Sequence, residues 1–279
     1  NTKIYTSYKY IFIMNYLNKK YDNLNAIAQK YHNAYISGDP FPHIVLDDFF
    51  NKDKLNEILN EFPKDLNKFG IKHDSDPEKK LTSNNPNRLS NKINDFINFT
   101  NSHKFIDFIN KLSGIERSLI PDPYLWGGGV HELKNKGYLN IHCDFNKHPK
   151  MQLDRRINFL IYLNHEWKDS YGGALELWDK EMKNCVKKIK PIFNRIVIFN
   201  TTDFSFHGNP DPIKVIDQSK SRKSIALYYY SNGRPEKELS GEAHTTLFKN
   251  RPNTFDSEKI TTYKKIFWKI FYKTKILLK

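Results

Sequence analysis

The segment Gly137-Tyr138-Leu139-Asn140-Ile141-His142-Cys143-Asp144 alternates in character from one residue to the next. Successive side chains of a strand point to opposite faces. Tyr138, Asn140, His142 and Asp144 therefore share one face, and Leu139, Ile141 and Cys143 share the other. A phenol, an amide, an imidazole and a carboxyl group on one face are unusual for a strand that only supports a core. They suit the lumen of a barrel with polar chemistry inside it. Two positions apart on that face, His142 and Asp144 can reach one ion together.

Further strands surround this one. Short β-prone segments at 124–126, 157–163, 174–178, 186–190, 195–199, 205–207 and 224–230 are separated by Gly, Asn, Asp and Pro. With 137–144 they make roughly eight strands, a number and spacing that argue for a β-sandwich or barrel. Upstream, apolar residues at helical spacing cover 15–36, 51–62 and 89–113. Pro40 and Pro42 break the chain ahead of a β-prone run at 43–46. Residues 63–88, rich in Lys, Asp, Asn, Ser and Pro, read as an irregular loop. Helices first and strands later, without strict alternation, argue against a doubly wound parallel sheet.

The expected organisation is an N-terminal extension over 1–20, a helical support region over 21–120, a β core over 121–235 and a basic C-terminal segment over 236–279. Met14 is a candidate natural start. Residues 261–279 carry amphipathic helical spacing, with Tyr263, Phe267, Ile270, Phe271 and Leu277 on one side and Lys265, Lys269 and Lys273 on another. Such a helix would dock on the barrel or make weak contact with a membrane surface.

Composition narrows the class. The 279 residues include 45 Lys and Arg against 31 Asp and Glu, a net charge of +14. The hydrophobic share of 38% is modest, but 14% aromatic residues is too many for a disordered chain. The positive surplus would attract nucleic acid or anionic membrane. It also fits lysines filling solvent positions under the coding bias of an AT-rich genome, so charge alone decides neither. Two cysteines, Cys143 and Cys185, exclude a disulfide framework and a four-cysteine zinc site. They read as reduced thiols of an intracellular, cytoplasmic protein. No apolar run reaches the roughly 18 residues of a membrane-spanning helix.

His-x-Asp alone is a weak signal, and either histidine alone would read as a hydrogen-bonded core residue. The order of the residues downstream strengthens it. His207 comes 63 positions after Asp144, at the end of a β-prone segment, and Arg222 and Ser224 open a strand 15 positions beyond His207. Two His and one carboxylate with open positions form the facial triad of non-haem Fe(II) oxygenases. A guanidinium at the mouth of a strand can grip a carboxylate through two parallel hydrogen bonds, and Ser224 on its face adds a hydroxyl. Cys143 points away from the triad face. His131, His148 and His165 have no partner at a recognisable spacing, and glycines 127–129 read as a turn or bulge. Ser-His-Asp, Walker and dinucleotide-binding signatures are absent.

From about residue 31 to 233 the chain resembles the 2-oxoglutarate/Fe(II)-dependent dioxygenases, within them the prolyl 4-hydroxylase-like branch. The similarity rests on His142-x-Asp144, the strand Arg155-Arg156-Ile157-Asn158-Phe159-Leu160-Ile161-Tyr162-Leu163-Asn164, then Gly172-Gly173-Ala174-Leu175-Glu176-Leu177, His207 and Arg222-x-Ser224. Pro40-Phe41-Pro42-His43-Ile44-Val45-Leu46-Asp47-Asp48-Phe49-Phe50 resembles the N-terminal segment of bacterial members. The resemblance implies a mainly β fold with flanking helices around a double-stranded β-helix (jelly-roll, cupin-like) barrel. It implies His142, Asp144 and His207 as metal ligands and catalytic centre. Arg222 would hold the distal carboxylate of 2-oxoglutarate, with Tyr138, Tyr162 and Asn158 as pocket walls. The implied cofactors are Fe(II), 2-oxoglutarate as cosubstrate and O2, with ascorbate as an accessory reductant. The implied activity is hydroxylation of a C–H bond with release of succinate and CO2, on peptidyl or free proline or another small molecule.

One departure stands out: Pro210 to Lys220 form an inserted loop before Arg222. If that loop shifts the register, Lys223 faces the pocket instead. A nucleic-acid substrate ranks lower, because no basic stripe lies beside the triad. The competing classes are a non-enzymatic β-barrel binding module and a basic adaptor for membrane or nucleic-acid surfaces.

Overall fold

The computed structural model describes residues 16–217, 219–238, 241–252 and 254. The start at Met14 and the amphipathic spacing of 261–279 lie outside the described residues. In chain order the elements are α1 (Leu24–Ile36), β1 (His43–Asp47), α2 (Lys52–Asn60), β2 (Ile71–Ser75), β3 (Glu78–Ser83), α3 (Asn91–Thr100) and α4 (His103–Ser113). Next come β4 (Ile120–Pro121), β5 (Gly129–Leu133), β6 (Tyr138–Cys143), β7 (Asp154–Tyr162), β8 (Leu175–Trp178), β9 (Cys185–Ile189), β10 (Arg195–Asn200), β11 (His207–Asn209), β12 (Arg222–Ser231) and β13 (Leu247–Phe248). Among the described residues no helix is long and apolar enough to cross a membrane.

The helices start and stop where local chemistry requires. Asn51 accepts from the backbone N–H groups of Asp53 and Lys54, and Ser90 accepts from that of Ile93. Helix α4 presents Phe105, Phe108, Ile109 and Leu112 on one face and ends at Gly114, whose φ of 68° is the left-handed turn that glycine adopts without a Cβ clash.

Among the described residues thirteen strands form one antiparallel sheet in the order β1-β10-β7-β12-β5-β3-β6-β11-β8-β9, with β2, β4 and β13 on its edges. The sheet curls into a double-stranded β-helix. Residue parity divides its two faces. Ile44 and Leu46 of β1, Ile196 and Ile198 of β10, Ile157, Phe159 and Ile161 of β7, and Ile225, Leu227 and Tyr229 of β12 pack on the helices. Phe105 meets Phe159 edge-on at 5.4 Å, joining α4 to the sheet. Each such buried aromatic or aliphatic side chain contributes about 1.5–3 kcal/mol. The opposite face of the same strands carries Val197, Phe199, Leu160 and Tyr162. These meet Leu175, Leu177 and Ile189 of the other half and line the lumen. Strand β7 is buried on both faces along most of its length.

Two local expectations fail. Residues 63–88 are not an irregular loop but contain the β2–β3 hairpin. Most of β2 is exposed, so its sequence carries no buried alternation to reveal it. Residues 124–126 form a turn rather than a strand, since the Asp122 carboxylate accepts from the N–H groups of Tyr124 (2.8 Å) and Trp126 (2.7 Å) and curls the chain. The strand begins at Gly129 instead. Gly129 sits at φ 88°, so close to Ser83 that a Cβ would strike the Ser83 carbonyl.

Candidate active site

Strands β6 and β11 pair with His207 directly opposite His142. Their imidazole centroids are 4.5 Å apart. Asp144, just past the end of β6, completes the group: its Oδ1 lies 3.7 Å from His142 Nε2 and its Oδ2 3.5 Å from His207 Nε2. One ligand atom from each residue falls within 4.8 Å of the others. The three side chains are only 6%, 7% and 10% exposed for His142, His207 and Asp144.

Both imidazoles are oriented by the same device. His142 Nδ1 lies 2.8 Å from the carbonyl of Asn140, and His207 Nδ1 lies 2.9 Å from that of Ser205, each two residues back. A carbonyl only accepts, so Nδ1 carries the proton and Nε2 turns its lone pair toward the partner residues. Burial, and then the neighbouring His142, hold His207 down to about 4, so its ring is uncharged at neutral pH. Burial raises the Asp144 carboxyl, but the Arg155 guanidinium together with His207 and His142 outweighs it and holds the group well below the usual range. Neutral imidazole and ionised carboxylate are the protonation states that metal binding requires. This donor set fits Fe(II).

Farther along the lumen, Arg222 is buried. Its Nε donates to the Gly173 carbonyl at 2.8 Å and its Nη2 to the Tyr162 hydroxyl at 3.3 Å. Ser224 stands opposite Tyr162 across the β12–β7 pair. Among the described residues no Asp or Glu pairs with Arg222, and burial lowers its pKa. A desolvated guanidinium without an acidic partner is costly unless an anion joins it. The arrangement fits the distal carboxylate of 2-oxoglutarate. Gly173 makes room: at φ 69° it also lacks a Cβ that would lie 3.0 Å from Arg222 Cδ.

The inserted loop does not shift the strand. Lys223 turns to the other face, where its Nζ donates to Ser221 Oγ at 2.7 Å, and Arg222 points inward. Asn158 and Tyr162 line the lumen, with Asn158 Nδ2 donating to Asp144 Oδ2 at 2.7 Å. Tyr138 is engaged elsewhere, since its hydroxyl donates to the carbonyls of Asp76 (3.0 Å) and Ser75 (3.4 Å) in the β2–β3 turn. Cys143 lies on the opposite face from the triad, in a cluster with Ile141, Trp178 and Phe206.

Two contributors were not legible in the sequence. Phe248 of β13 pairs opposite His142 with ring centroids 5.4 Å apart, but a two-residue strand leaves no periodicity. Arg155 reaches Asp144 at 3.0 Å although simple alternation puts it on the helix-packed face with Ile157. The pairing slips between Tyr229 and Tyr230, so that Arg155 faces Tyr230 and turns into the lumen.

Comparison with known proteins agrees with this geometry. The family described as "2OG-Fe(II) oxygenase superfamily" matches residues 128–230, the interval that holds His142, Asp144, His207 and Arg222. The prolyl 3-hydroxylase OGFOD1 of Mus musculus is 26% identical over 207 residues, 69% of this chain and 33% of that protein. The chain thus spans about a third of the length of the curated relatives it matches. A prolyl hydroxylase from Trichoplax adhaerens, solved with a hypoxia inducible factor peptide fragment, superposes with a TM-score of 0.54 at 18% identity, covering 78% of this chain and 94% of that one. A prolyl-4-hydroxylase from Pseudomonas putida gives 0.52 at 12% identity, covering 74% and 100%. The two structures share the fold. The family match falls on the triad-bearing strands, so over residues 128–230 the chain is similar to the 2OG-Fe(II) oxygenase superfamily, and its fold is that of the two prolyl hydroxylase structures.

Proposed function

We propose that this protein hydroxylates a prolyl residue of a peptide or protein, consuming 2-oxoglutarate and O2 and releasing succinate and CO2. The in-register His142–His207 pair closed by Asp144, with Arg222 in the same lumen lacking an acidic partner among the described residues, carries the proposal. The names of the relatives, prolyl 3- and 4-hydroxylases, support the substrate class.

In this reading His142, Asp144 and His207 would hold Fe(II) as its protein ligands. Bound iron with 2-oxoglutarate and O2 supplies the oxidation of the C–H bond. The chain's own residues orient and exclude. Arg222 grips the far carboxylate of the cosubstrate, helped by the hydroxyls of Tyr162 and Ser224, and burial strengthens that ion pair over its value in water. Phe199, Leu160, Val197 and Leu177 form a dry wall around it. Asp144 stays ionised and His207 Nε2 stays unprotonated at neutral pH.

The test supplies purified protein with Fe(II), 2-oxoglutarate and a panel of proline-containing peptides, with and without ascorbate. Succinate formation together with gain of one oxygen atom on a proline is expected, and His142→Ala should abolish both. Fragmentation and chromatography of the product distinguish the 3- from the 4-position. Succinate release that persists unchanged in His142→Ala would refute the assignment of the triad, and turnover without any modified proline would refute the substrate class.

A further inference from the structure

The two oxygens of Asp144 have different surroundings. Oδ2 accepts from Asn158 Nδ2 at 2.7 Å and lies 3.0 Å from Arg155 Nη2 and 3.5 Å from His207 Nε2, whereas Oδ1 has only His142 Nε2 beside it, at 3.7 Å. The Asn158 amide is itself fixed, because its Oδ1 accepts from Arg155 Nη2 at 2.6 Å and Nε at 3.2 Å. Arg155 is fixed in turn. Its side chain is 1% exposed, and its guanidinium lies 3.5 Å from the Tyr228 ring centroid and 4.5 Å from that of Phe145. The slip in pairing that turns Arg155 inward therefore clamps the Asn158 amide against one carboxylate oxygen and sets the guanidinium charge beside it.

We propose that Arg155 and Asn158 act as one positioning unit that limits Asp144 to single-oxygen coordination. The Asn158 amide donates to Oδ2, and the positive charge of Arg155 beside it keeps a cation away from that oxygen. Oδ1 is left for the metal. A carboxylate free to rotate would bind through both oxygens and occupy a position needed by cosubstrate or O2. This rests on the metal-centre reading above, and it makes Arg155 more than a counter-charge that permits Asp144 to be buried.

The test uses Co(II) alone, added to the whole metal-free chain, with affinity from equilibrium dialysis and coordination from visible absorption. Asn158→Leu, which keeps the approximate volume and removes the donor, should weaken Co(II) binding roughly 10–100-fold and lower the absorption per bound metal, as a higher coordination number does. Arg155→Lys keeps the charge but loses the planar fork, and it should show the same two changes. Co(II) affinity and spectrum equal to the parent's in Asn158→Leu, or complete restoration by lysine at 155, would overturn the proposal. Asn158→Leu decides alone if Arg155→Lys does not fold. A parent chain that binds no Co(II) would instead remove the metal centre itself, and the proposal with it.

Discussion

Replacing Arg222 by Met should separate two effects that usually travel together, affinity and stability. In the folded chain the guanidinium is buried, donates to the Gly173 carbonyl and the Tyr162 hydroxyl, and has no acidic partner among the described residues. A methionine of similar reach removes a desolvated charge, which is favourable, and leaves two acceptors short of a donor, which costs about 1–3 kcal/mol each. The opposing contributions should leave unfolding free energy within about 2 kcal/mol of the parent. The cosubstrate loses much more. Two charge-assisted hydrogen bonds to its distal carboxylate are worth about 1.5–3 kcal/mol each. At about 1.4 kcal/mol per decade, their loss raises KM for 2-oxoglutarate roughly a hundredfold or more. The assay pairs succinate formation at varied 2-oxoglutarate with urea unfolding of the same preparations. In the parent, 2-oxoglutarate at about 100 times its Kd should add about 2.7 kcal/mol of stability, and that increment should vanish in Arg222→Met. An unchanged KM, or a stability loss of several kcal/mol with intact cosubstrate binding, would show that Arg222 is a structural residue.

Three further substitutions probe the packing and charge around the barrel. Gly173→Ala places a Cβ against Arg222 Cδ at a φ of 69°, so it should cost about 1–3 kcal/mol of stability and raise KM for 2-oxoglutarate, measured in the same assays. Burial alone would raise the Glu78 carboxyl, but the hydrogen bond from His73 and the ammonium of Lys80 outweigh it and hold the group down to about 2. Its contribution is therefore complete above the ordinary carboxylate pKa and is lost as pH falls from about 4.5 toward 2. Glu78→Gln should flatten the acid limb of a stability–pH curve by on the order of 1–2 kcal/mol. Phe105→Ala opens a cavity among Phe49, Phe99, Phe108 and Phe159, and should cost about 3–5 kcal/mol in chemical unfolding.

The alternating 137–144 segment, the second histidine 63 positions later and the Arg-x-Ser strand state their chemistry in residue types alone, because a period of two and a fixed order survive any detail of packing. The same holds for the helices at 51–62 and 89–113, whose apolar spacing needs a sheet to cover it. The β2–β3 hairpin was not legible, because an exposed edge strand need not alternate. Strand β5 was not either, since it opens with Gly129 and carries His131 and Glu132. Whether Arg222 or Lys223 faces inward also waited for the register of β12 against β7.

Residue identity by itself thus determined which groups could bind a metal and a dicarboxylate, and that a curled β-sheet would carry them. Tertiary structure alone decided which oxygen of Asp144 remains available. That depends on one slipped residue in the β7–β12 ladder, which reverses the direction of Arg155. A bulge is chosen by the pairing of two distant strands and leaves no mark in the local alternation of either.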